Sequence, residues 1–478
     1  MSGFIIDDDG VGVEKGSKHP TDVTSPHTTS VSVMSEPSRP PSVDALTRQL
    51  AAHPELAVLP RSMLVDAARA GVAADRIEPL TAAVTVARTS ARQLLNPVIN
   101  ATGTLLHTNL GRAQSAPAAP NPGQRVRGLN IEFDLATGRR GSRFAATDTL
   151  LTRLTGAEAS LVVNNCAASL VLVLASLARG RGVVVSRGEL VEIGGGFRIP
   201  EIIEQSGCTL IEVGTTNRTR RADYARAIAD HDAAVVLKVH PSNYRISGFT
   251  EEVGVAELAT LGRPVVADLG TGLLDATTPW LADASGAQPD VSWIRREPSV
   301  RQWIHDGADV VLASGDKVLG GPQAGLIVGS RAVIERCSSH PLLRALRPGS
   351  MILSSLQDTL LTYVNGAART LPFWEQALRS VASLETRVGA VVGELADARV
   401  VGSPCASTPG GGTMPDTTIE SFGLHVRGTH VDALRSWATP IIARSAEGAT
   451  VLDLRTVDPA DDAVLTEALS SILTARRD

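Results

Sequence analysis

Lysine is almost absent from this chain of 478 residues. Only Lys15, Lys18, Lys238 and Lys317 occur among its 45 basic residues, and arginine supplies all the others. Arginine stays protonated in proteins, whereas a buried lysine can lose its proton and act as a nucleophile. Chemistry that requires an amine therefore has few positions at which it can take place.

Cysteine is scarce as well. The four cysteines, Cys166, Cys208, Cys337 and Cys405, are widely separated, and no two of them form a C-x-x-C pair. Such spacing fits neither a disulfide framework nor a zinc site. We therefore expect reduced thiols.

Long apolar runs are also missing. No run approaches the roughly 20 residues that span a bilayer, and the N-terminal MSGFIIDDDG carries acid where a signal peptide carries base. We expect a cytoplasmic protein that does not enter a membrane. The net charge of −5 disfavours a uniformly basic surface for nucleic acid, although a local basic face is compatible with it.

A chain of 478 residues is long enough for two or three domains, and its hydrophobic content of 43% is sufficient to form their cores. Residues 1–41, rich in Ser, Thr, Pro and Asp, have the composition of a disordered tail. Residues 42–95 carry apolar residues at helical spacing, which predicts a helical domain, and this pattern alone is equally typical of an arm or a dimerisation domain. Residues 96–347 alternate apolar strands with amphipathic segments, which predicts an α/β domain with a mainly parallel sheet. Residues 348–478 predict a small α+β domain.

One segment inside the α/β region has no clear period. Residues Thr277–Glu297 are rich in Trp, Pro, Ala and Asp. We expect this segment to be an insertion at the surface.

Lys317 lies in the strongest local motif, SGDKVLGGPQAG, directly after the apolar run Val310–Ala313. Ligands of parallel-sheet enzymes bind at the carboxyl ends of the strands, which is where Lys317 emerges. An amine there can form a Schiff base with an aldehyde cofactor if burial lowers its pKa. Because lysine is so scarce in this chain, we expect Lys317 to have a functional role and not to be an ordinary surface residue.

Asp268 ends an earlier predicted strand, in VVADLGTG. A pyridoxal ring needs an acid at its pyridine nitrogen, because the protonated ring absorbs the electrons of an α-carbanion. Strand-end aspartates also serve as helix caps. Asp268 would lie beside Lys317 in the sheet, so we expect it to be the acid.

The turn after the predicted strand SLVVNN offers a site for a phosphate. It comprises Asn165, Cys166, Ala167, Ala168 and Ser169, and a predicted helix begins there. Backbone N–H groups at the start of a helix bind anions, and small side chains let a ligand approach the backbone. Many strand-to-helix turns look similar, so this prediction depends on Asp268 and Lys317 following in the appropriate order.

Further cations and polar residues near predicted loops indicate a second anion site, although a solvated surface is the simpler explanation for each arginine. Arginine forks suit phosphate and RNA backbone. The candidates for binding a substrate anion are His107, Asn109, Arg112, Arg344 and Arg347, with the basic run Arg139, Arg140 and Arg143 nearby.

Several long stretches resemble the bacterial selenocysteine synthases, the L-seryl-tRNA(Sec) selenium transferases among the fold-type-I pyridoxal-phosphate enzymes. They are NATGTLLHTNLGRA, SRGELVEIGGGFRIPEI, EVGTTNRT, KVHPSNYRISGFT, VADLGTG and SGDKVLGGPQAG, and the resemblance extends over about residues 43–456. It implies a fold-type-I catalytic domain and pyridoxal 5'-phosphate as cofactor. The implied reaction replaces the hydroxyl of serine on tRNA(Sec) with selenium from selenophosphate, through an aminoacrylyl ester.

The resemblance also implies roles for individual residues. Lys317 would be the Schiff-base lysine, Asp268 the partner of the pyridine nitrogen, and Asn165 to Ser169 part of the phosphate site. Arg112, Arg344 and Arg347 would bind the phosphate of the selenium donor. The helical domain would bind tRNA(Sec), and the assembly would be a ring-shaped homo-oligomer built from dimers.

Two other functions are consistent with parts of this pattern. A pyridoxal-phosphate lyase acting on a small amino acid or amino-sugar acid would share the catalytic core but would not need the N-terminal helical domain. A catalytically idle tRNA-binding protein would have no reason to keep both Lys317 and Asp268. Two stretches depart from the family pattern, namely the long Thr277–Glu297 segment and the Pro-rich Gln114–Arg127 stretch that replaces an expected helix.

Overall fold

The computed structural model describes residues 41–114, 128–193 and 196–475. The chain divides into two compact units, one ending at Leu95 and the other beginning at Asn96. The predicted disordered tail, residues 1–41, lies almost wholly outside the described residues. The same is true of most of the Gln114–Arg127 stretch.

The described part of the first unit is helical. Its helices are α1 (Val43–Ala51), α2 (Arg61–Ala74) and α3 (Pro79–Arg92). Ser42 caps α1 by accepting a hydrogen bond from the backbone N–H of Ala45. Leu46 and Leu50 are fully buried because residues four apart lie on one face of a helix. The apolar spacing read from the sequence therefore builds the core of this unit.

The second unit contains strands and helices in alternation. Its strands are β1 (Ile99–Asn100), β2 (Ala159–Val163), β3 (Gly182–Ser186), β4 (Glu192–Ile193), β5 (Phe197–Arg198), β6 (Thr209–Val213), β7 (Ala233–Val239), β8 (Val265–Gly270), β9 (Val310–Ser314), β10 (Gly325–Gly329), β11 (Val400–Ser407), β12 (Ile419–Arg427), β13 (Ile441–Ile442), β14 (Arg444–Ala446) and β15 (Ala449–Asp453). Its helices are α4 (Ala145–Thr155), α5 (Cys166–Ala178), α6 (Ile199–Gln205), α7 (Arg221–Asp230), α8 (Val255–Leu258), α9 (Val300–His305), α10 (Arg331–Ser339), α11 (Leu342–Leu346), α12 (Ser350–Val364), α13 (Pro372–Leu378), α14 (Val381–Leu395), α15 (Val431–Arg435) and α16 (Asp462–Thr474). No helix in the described ranges is both long and apolar enough to cross a membrane.

A seven-stranded sheet with the order β2-β10-β9-β8-β7-β3-β6 forms the centre of this unit. Only β10 runs antiparallel to its neighbours. Every residue of β2, β3, β7 and β9 is buried, because hydrophobic cores cover both faces of the sheet. The predicted α/β class with a mainly parallel sheet is confirmed. The sequence interpretation missed β10, which follows the glycine-rich turn after Lys317.

A second, antiparallel sheet has the order β11-β12-β15-β14. It packs with α14 and α16, and its core also includes Ile99 and Ala101 from the start of the unit. The sequence interpretation missed β11, which contains Gly402 and Pro404. Proline is tolerated there because β11 is an edge strand and does not need every backbone N–H for pairing.

The two cores do not separate at the predicted boundary after residue 347. Helices α12 and α13 contribute Leu356, Leu360, Phe373 and Trp374 to a core of the seven-stranded sheet, not to that of the antiparallel sheet. The helical pattern of this stretch shows an apolar face but does not indicate which sheet that face covers.

The expectation of a surface insertion at Thr277–Glu297 holds for the middle of the segment, where residues 283–288 are exposed, but not for its ends. Trp280, Leu281 and Ile294 are buried in a core of the large sheet. The Trp280 ring meets the Tyr363 ring edge-on at a centroid distance of 4.9 Å, a favourable aromatic geometry. The segment has no periodic apolar pattern, because single apolar residues pack into the core and no long helix or strand does so.

The close approach of α5 to β10 depends on Gly325. A Cβ atom at this position would lie 2.1 Å from the carbonyl oxygen of Asn165 and 2.3 Å from Ser169 Oγ. The missing side chain therefore allows the start of α5 to lie directly against the strand. This contact joins the two motifs that the sequence singled out separately.

We expect Gly325→Ala to destabilise the protein by about 1–3 kcal/mol, because the added methyl group must displace the start of α5. Chemical unfolding of the full chain measures the effect. Gly389→Ala is the matched control, since Gly389 is an exposed residue of α14 with open space around its Cβ position, and it should cost nothing. Equal stability of the two variants would contradict the packing role of Gly325.

Candidate active site

Asp268 and Lys317 meet at the carboxyl ends of β8 and β9. The two strands pair in parallel with Asp268 opposite Leu312, and Lys317 lies in the turn after β9. Both side chains are buried, at 7% and 5% exposure. A Cβ atom on Gly270 would lie 3.7 Å from Lys317 Nζ and 4.0 Å from Asp268 Oδ1, so the two groups border one small space.

The amine of Lys317 is in an environment that favours its neutral form. Burial lowers its pKa, and the nearby charge of Arg112 acts in the same direction. Lys317 Nζ donates to the carbonyl oxygen of Gly412 at 3.4 Å, a long hydrogen bond. A lysine with these properties is a competent nucleophile.

Lys238 is the other lysine among the described residues, and its environment is opposite. Its Nζ donates to Glu189 Oε1 at 2.8 Å, and both side chains are buried. Burial lowers the pKa of Lys238, but the combined attraction of Glu189 and Glu252 outweighs it, so the pKa lies above its ordinary value. Lys238 is therefore a structural cation.

The carboxylate of Asp268 is held by Cys166. The Cys166 Sγ donates to Asp268 Oδ1 at 3.4 Å. Burial raises the pKa of the Cys166 thiol well above its ordinary value, so the thiol keeps its proton. Burial also raises the pKa of Asp268, because a desolvated carboxylate is costly to charge. A cationic ring nitrogen beside Asp268 would offset that cost.

The first turn of α5 presents backbone donors at the same edge of the sheet. Asn165 caps the helix, accepting from the N–H of Ala168 at 2.9 Å, and its carbonyl accepts from Ser169 at 3.1 Å. The N–H groups of Cys166 and Ala167 have no acceptor in the described ranges. These donors, together with the helix dipole, suit an anionic group such as a phosphate.

Arg112 reaches the site from the GTLLHTNLGR motif. Its backbone is left-handed, with φ of 63°, which is uncommon for a residue with a side chain. Arg112 Nη1 donates to Asp316 Oδ2 at 3.1 Å, which places the guanidinium beside the residue that precedes Lys317. The carbonyl of His107 accepts from the N–H of Arg112 at 3.0 Å, and Asn109 lies exposed in the short 3₁₀ helix between them.

Arg344 and Arg347 lie at the end of α11, on the side of the site where α5 begins. The carbonyl of Leu346 accepts from the N–H of Asn164 at 2.9 Å. Arg347 Nη1 is 3.4 Å from Glu132 Oε1. Glu132 also pairs with two members of the predicted basic run, Arg140 and Arg143. Arg344 is exposed and forms no ion pair within the described ranges.

Two groups at the site were not selected from the sequence. Ser242 Oγ would lie 3.9 Å from a Cβ atom on Gly270, beside Lys317 and Asp268. Consecutive left-handed glycines, Gly410 to Gly412, bring a backbone carbonyl to Lys317, and a Cβ on Gly411 would lie 2.4 Å from the carbonyl oxygen of Leu106. The PGGGT run is visible in the sequence, but nothing there connects it with Lys317.

The loop after β3 contributes the buried carboxylate of Glu189. Glu189 pairs with Lys238 and also accepts from the N–H of Val239 at 2.9 Å. Gly194 and Gly195 lie outside the described residues. Of the predicted site residues, Cys166, Asp268 and Lys317 border one small space. Arg112 contacts the neighbouring Asp316, and Arg347 lies next to Leu346, which contacts the residue before Asn165.

The fold is similar to that of known enzymes. The solved structure of D-glucosaminate-6-phosphate ammonia-lyase matches 81% of this chain and 98% of its own, with a TM-score of 0.55 and 21% identical residues. This similarity establishes that the two proteins share a fold.

Sequence comparisons are more specific. An L-seryl-tRNA(Sec) selenium transferase of Moorella thermoacetica is 45% identical over 403 residues, covering 80% of this chain and 83% of the relative. The transferase of Desulfomicrobium baculatum is 43% identical over 471 residues, covering 91% and 98%. A family model described as L-seryl-tRNA selenium transferase matches residues 98–458. The chain belongs to the L-seryl-tRNA selenium transferase family.

Proposed function

We propose that this protein converts L-seryl-tRNA(Sec) to L-selenocysteinyl-tRNA(Sec) with selenophosphate as the selenium donor. The observation that carries the proposal is the pair of buried groups at one sheet edge, Lys317 with a lowered pKa and Asp268 held by Cys166. A nucleophilic amine and a positioned carboxylate are what α-carbon chemistry on an amino acid requires.

The residues at this edge suit pyridoxal 5'-phosphate. Lys317 Nζ would hold its aldehyde carbon, Asp268 would face its ring nitrogen, and the first turn of α5, from Asn165 to Ser169, would hold its phosphate. The unmatched donors of Cys166 and Ala167 and the raised pKa of Asp268 support this arrangement. When bound, the cofactor supplies an electron sink for the α-carbon of the substrate.

The chain's own groups would then move the protons. With substrate bound, the amine of Lys317 would be free to act near the α-carbon, with the carbonyl of Gly412 as its hydrogen-bond acceptor. Lys317 would take the α-proton and later return it, because burial lowers its pKa and so favours the neutral amine. Asp268 stays charged against the ring nitrogen. The β-hydroxyl would depart as water, and selenium of the donor would form a bond to the β-carbon. The bond between selenium and phosphorus would break by addition of water, which releases phosphate.

The arginines around the site would bind the selenium donor. Arg112, Arg344 and Arg347 are the proposed phosphate ligands, with His107 and Asn109 on the loop that carries Arg112. Arg112 is already oriented by Asp316, and Arg347 by Glu132. Guanidinium groups in such pairs can exchange one carboxylate contact for a bidentate phosphate contact.

The remaining parts of the proposal concern the macromolecular context. The helical domain at residues 42–95 would bind the body of tRNA(Sec), and the protein would act in the cytoplasm as a homo-oligomer built from dimers. The alternative, a lyase of a small amino acid or amino-sugar acid, shares the fold, but relatives of more than 40% identity carry the transferase name.

Lys317→Ala should abolish cofactor attachment and turnover with little effect on folding, because Lys317 is not a core packing residue. Borohydride reduction followed by peptide mass spectrometry identifies the lysine that carries the cofactor. Lys238→Arg is the matched control, since it removes the other amine but keeps a cation for Glu189, and it should retain the visible absorbance of the bound cofactor. Modified peptide containing residue 238 would contradict the assignment.

Asp268→Asn should still bind the cofactor but lose turnover roughly 100-fold or more, because an amide cannot stabilise a positive ring nitrogen. Exchange of the substrate α-proton with solvent deuterium measures the step directly. Asp230→Asn, at the exposed end of α7, controls for the loss of a carboxylate. Near-normal exchange in the Asp268 variant would show that another acid has this role.

Removal of residues 1–95 should weaken binding of tRNA(Sec) while the remaining compact unit keeps its cofactor absorbance. A substrate held mainly by its RNA needs contacts far from the reacting serine. Filter binding at several salt concentrations measures the loss, and the intact protein should show the steeper salt dependence of phosphate contacts.

Size measurement of the truncated protein must accompany this experiment, because the deletion can also alter subunit contacts. Unchanged tRNA affinity in a truncated protein of unchanged assembly size would favour the small-substrate lyase instead.

A further inference from the structure

A cavity of about 800 Å³ opens beside the candidate active site. Its walls come from the loops after β3, β6 and β7, from the 292–297 segment, and from residues 414–418. All of these belong to the second compact unit. The volume is in the range of sites that bind small organic ligands.

Two walls of the cavity connect directly with the reacting groups. The N–H of His240, a lining residue, donates to the carbonyl of Asp268 at 2.9 Å. Met414, another lining residue, follows closely after Gly412, whose carbonyl accepts from Lys317. The cavity therefore begins next to the site of the chemistry and extends away from it.

The proposed function, on which this inference rests, defines what must lie there. Serine in an aminoacylated tRNA is esterified to the ribose of the 3'-terminal nucleotide. When the serine reaches Lys317 and Asp268, that nucleotide is separated from them only by the ester. It therefore has to occupy space bordering the reacting groups.

The lining offers surfaces for a base. Tyr244 and Trp293 are both half-buried in the cavity wall. The Tyr244 hydroxyl donates to the carbonyl of Gly188 at 2.6 Å, which holds the ring in place. Aromatic side chains of this kind stack on unpaired bases, and stacking tolerates any base because each has a flat face.

The lining also offers cations for a phosphate. Arg218 and Arg220 are both paired with Glu251. By contrast, Arg245 and Arg296 line the cavity, are exposed, and form no ion pair within the described ranges. Unpaired guanidinium groups are well suited to phosphate oxygens.

Hydrogen-bonding capacity remains in the wall nearest Asp268. His240 Nε2 and Glu297 Oε1 lie 3.0 Å apart, but the pair lacks hydrogen-bond alignment, and both atoms are buried without another partner in the described ranges. Ribose hydroxyls both donate and accept, so they can satisfy such groups.

We propose that this cavity binds the 3'-terminal nucleotide of the tRNA substrate. The base stacks on the aromatic wall, the ribose faces His240 and Glu297, and the adjoining phosphate contacts Arg245 and Arg296. The site thereby places the esterified serine at Lys317 by holding the nucleotide that carries it.

The test is a cycle of binding measurements on the full chain, using uncharged tRNA(Sec) with and without its terminal adenosine. Removal of that adenosine should weaken binding to the unaltered protein roughly 10-fold. The Arg245→Ala/Arg296→Ala double variant should bind intact tRNA less well and should show a smaller truncation penalty, because it loses the phosphate contact but keeps the aromatic wall. A full truncation penalty in this variant would overturn the proposal.

The control is the double variant Arg153→Ala/Arg226→Ala, which removes two exposed arginines that also lack ion pairs and do not line the cavity. It should keep the whole truncation penalty. A reduced penalty in the control would also overturn the proposal, since general charge would then explain the result. Conversion of seryl-tRNA(Sec) by the unaltered protein is measured in parallel. Absence of conversion would contradict the proposed function. Conversion together with a full truncation penalty in the Arg245/Arg296 variant would contradict only the cavity assignment.

Discussion

The parallel pairing of β8 with β9 is the interaction on which the candidate site depends. The backbone ladder aligns Asp268 with Leu312 and so brings the ends of both strands to one edge of the sheet. Asp268 and the Lys317 turn are then neighbours although 49 positions separate their numbers. Parallel strands need a crossover between them, and here the crossover contains the buried Trp280 and Ile294. The segment that looked like an insertion is thus part of the connection that holds the two strands in place.

Burial at this edge gives the site its chemical character. The same desolvation that lowers the pKa of Lys317 raises the pKa of Asp268, so both groups are shifted toward their neutral forms. A protonated ring nitrogen beside Asp268 would balance the charge of its carboxylate. An anion at the start of α5 would be stabilised by the backbone N–H groups there. Lys238 shows the contrast, because a directly bound carboxylate keeps it protonated despite similar burial. Two lysines of one chain therefore differ in reactivity because of their partners alone.

Glycine has two separate uses around the site. At Gly325 the absence of a side chain allows α5 to approach the sheet, which fixes the position of the anion-binding turn. At Gly410 to Gly412 left-handed backbone allows a tight turn from the antiparallel sheet to reach Lys317. Gly325 thus brings α5 against β10, and Gly412 brings a distant backbone carbonyl to Lys317. Side-chain chemistry at the site accordingly depends on close backbone packing in two places.

Sequence alone determined the α/β class and most of the strands, and it singled out Lys317, Asp268 and the Asn165 turn as candidate site residues. Those features are local, since they follow from apolar runs, glycine-rich turns and the scarcity of lysine. Tertiary structure decided the rest. It placed β10 between β9 and β2, assigned α12 and α13 to the large sheet, and buried Trp280, Leu281 and Ile294 of the Thr277–Glu297 segment. It also brought Gly412, Ser242 and the cavity to the site. These depend on contacts between residues far apart in the chain, and local pattern contains no information on which distant surface an apolar face or a glycine turn will meet.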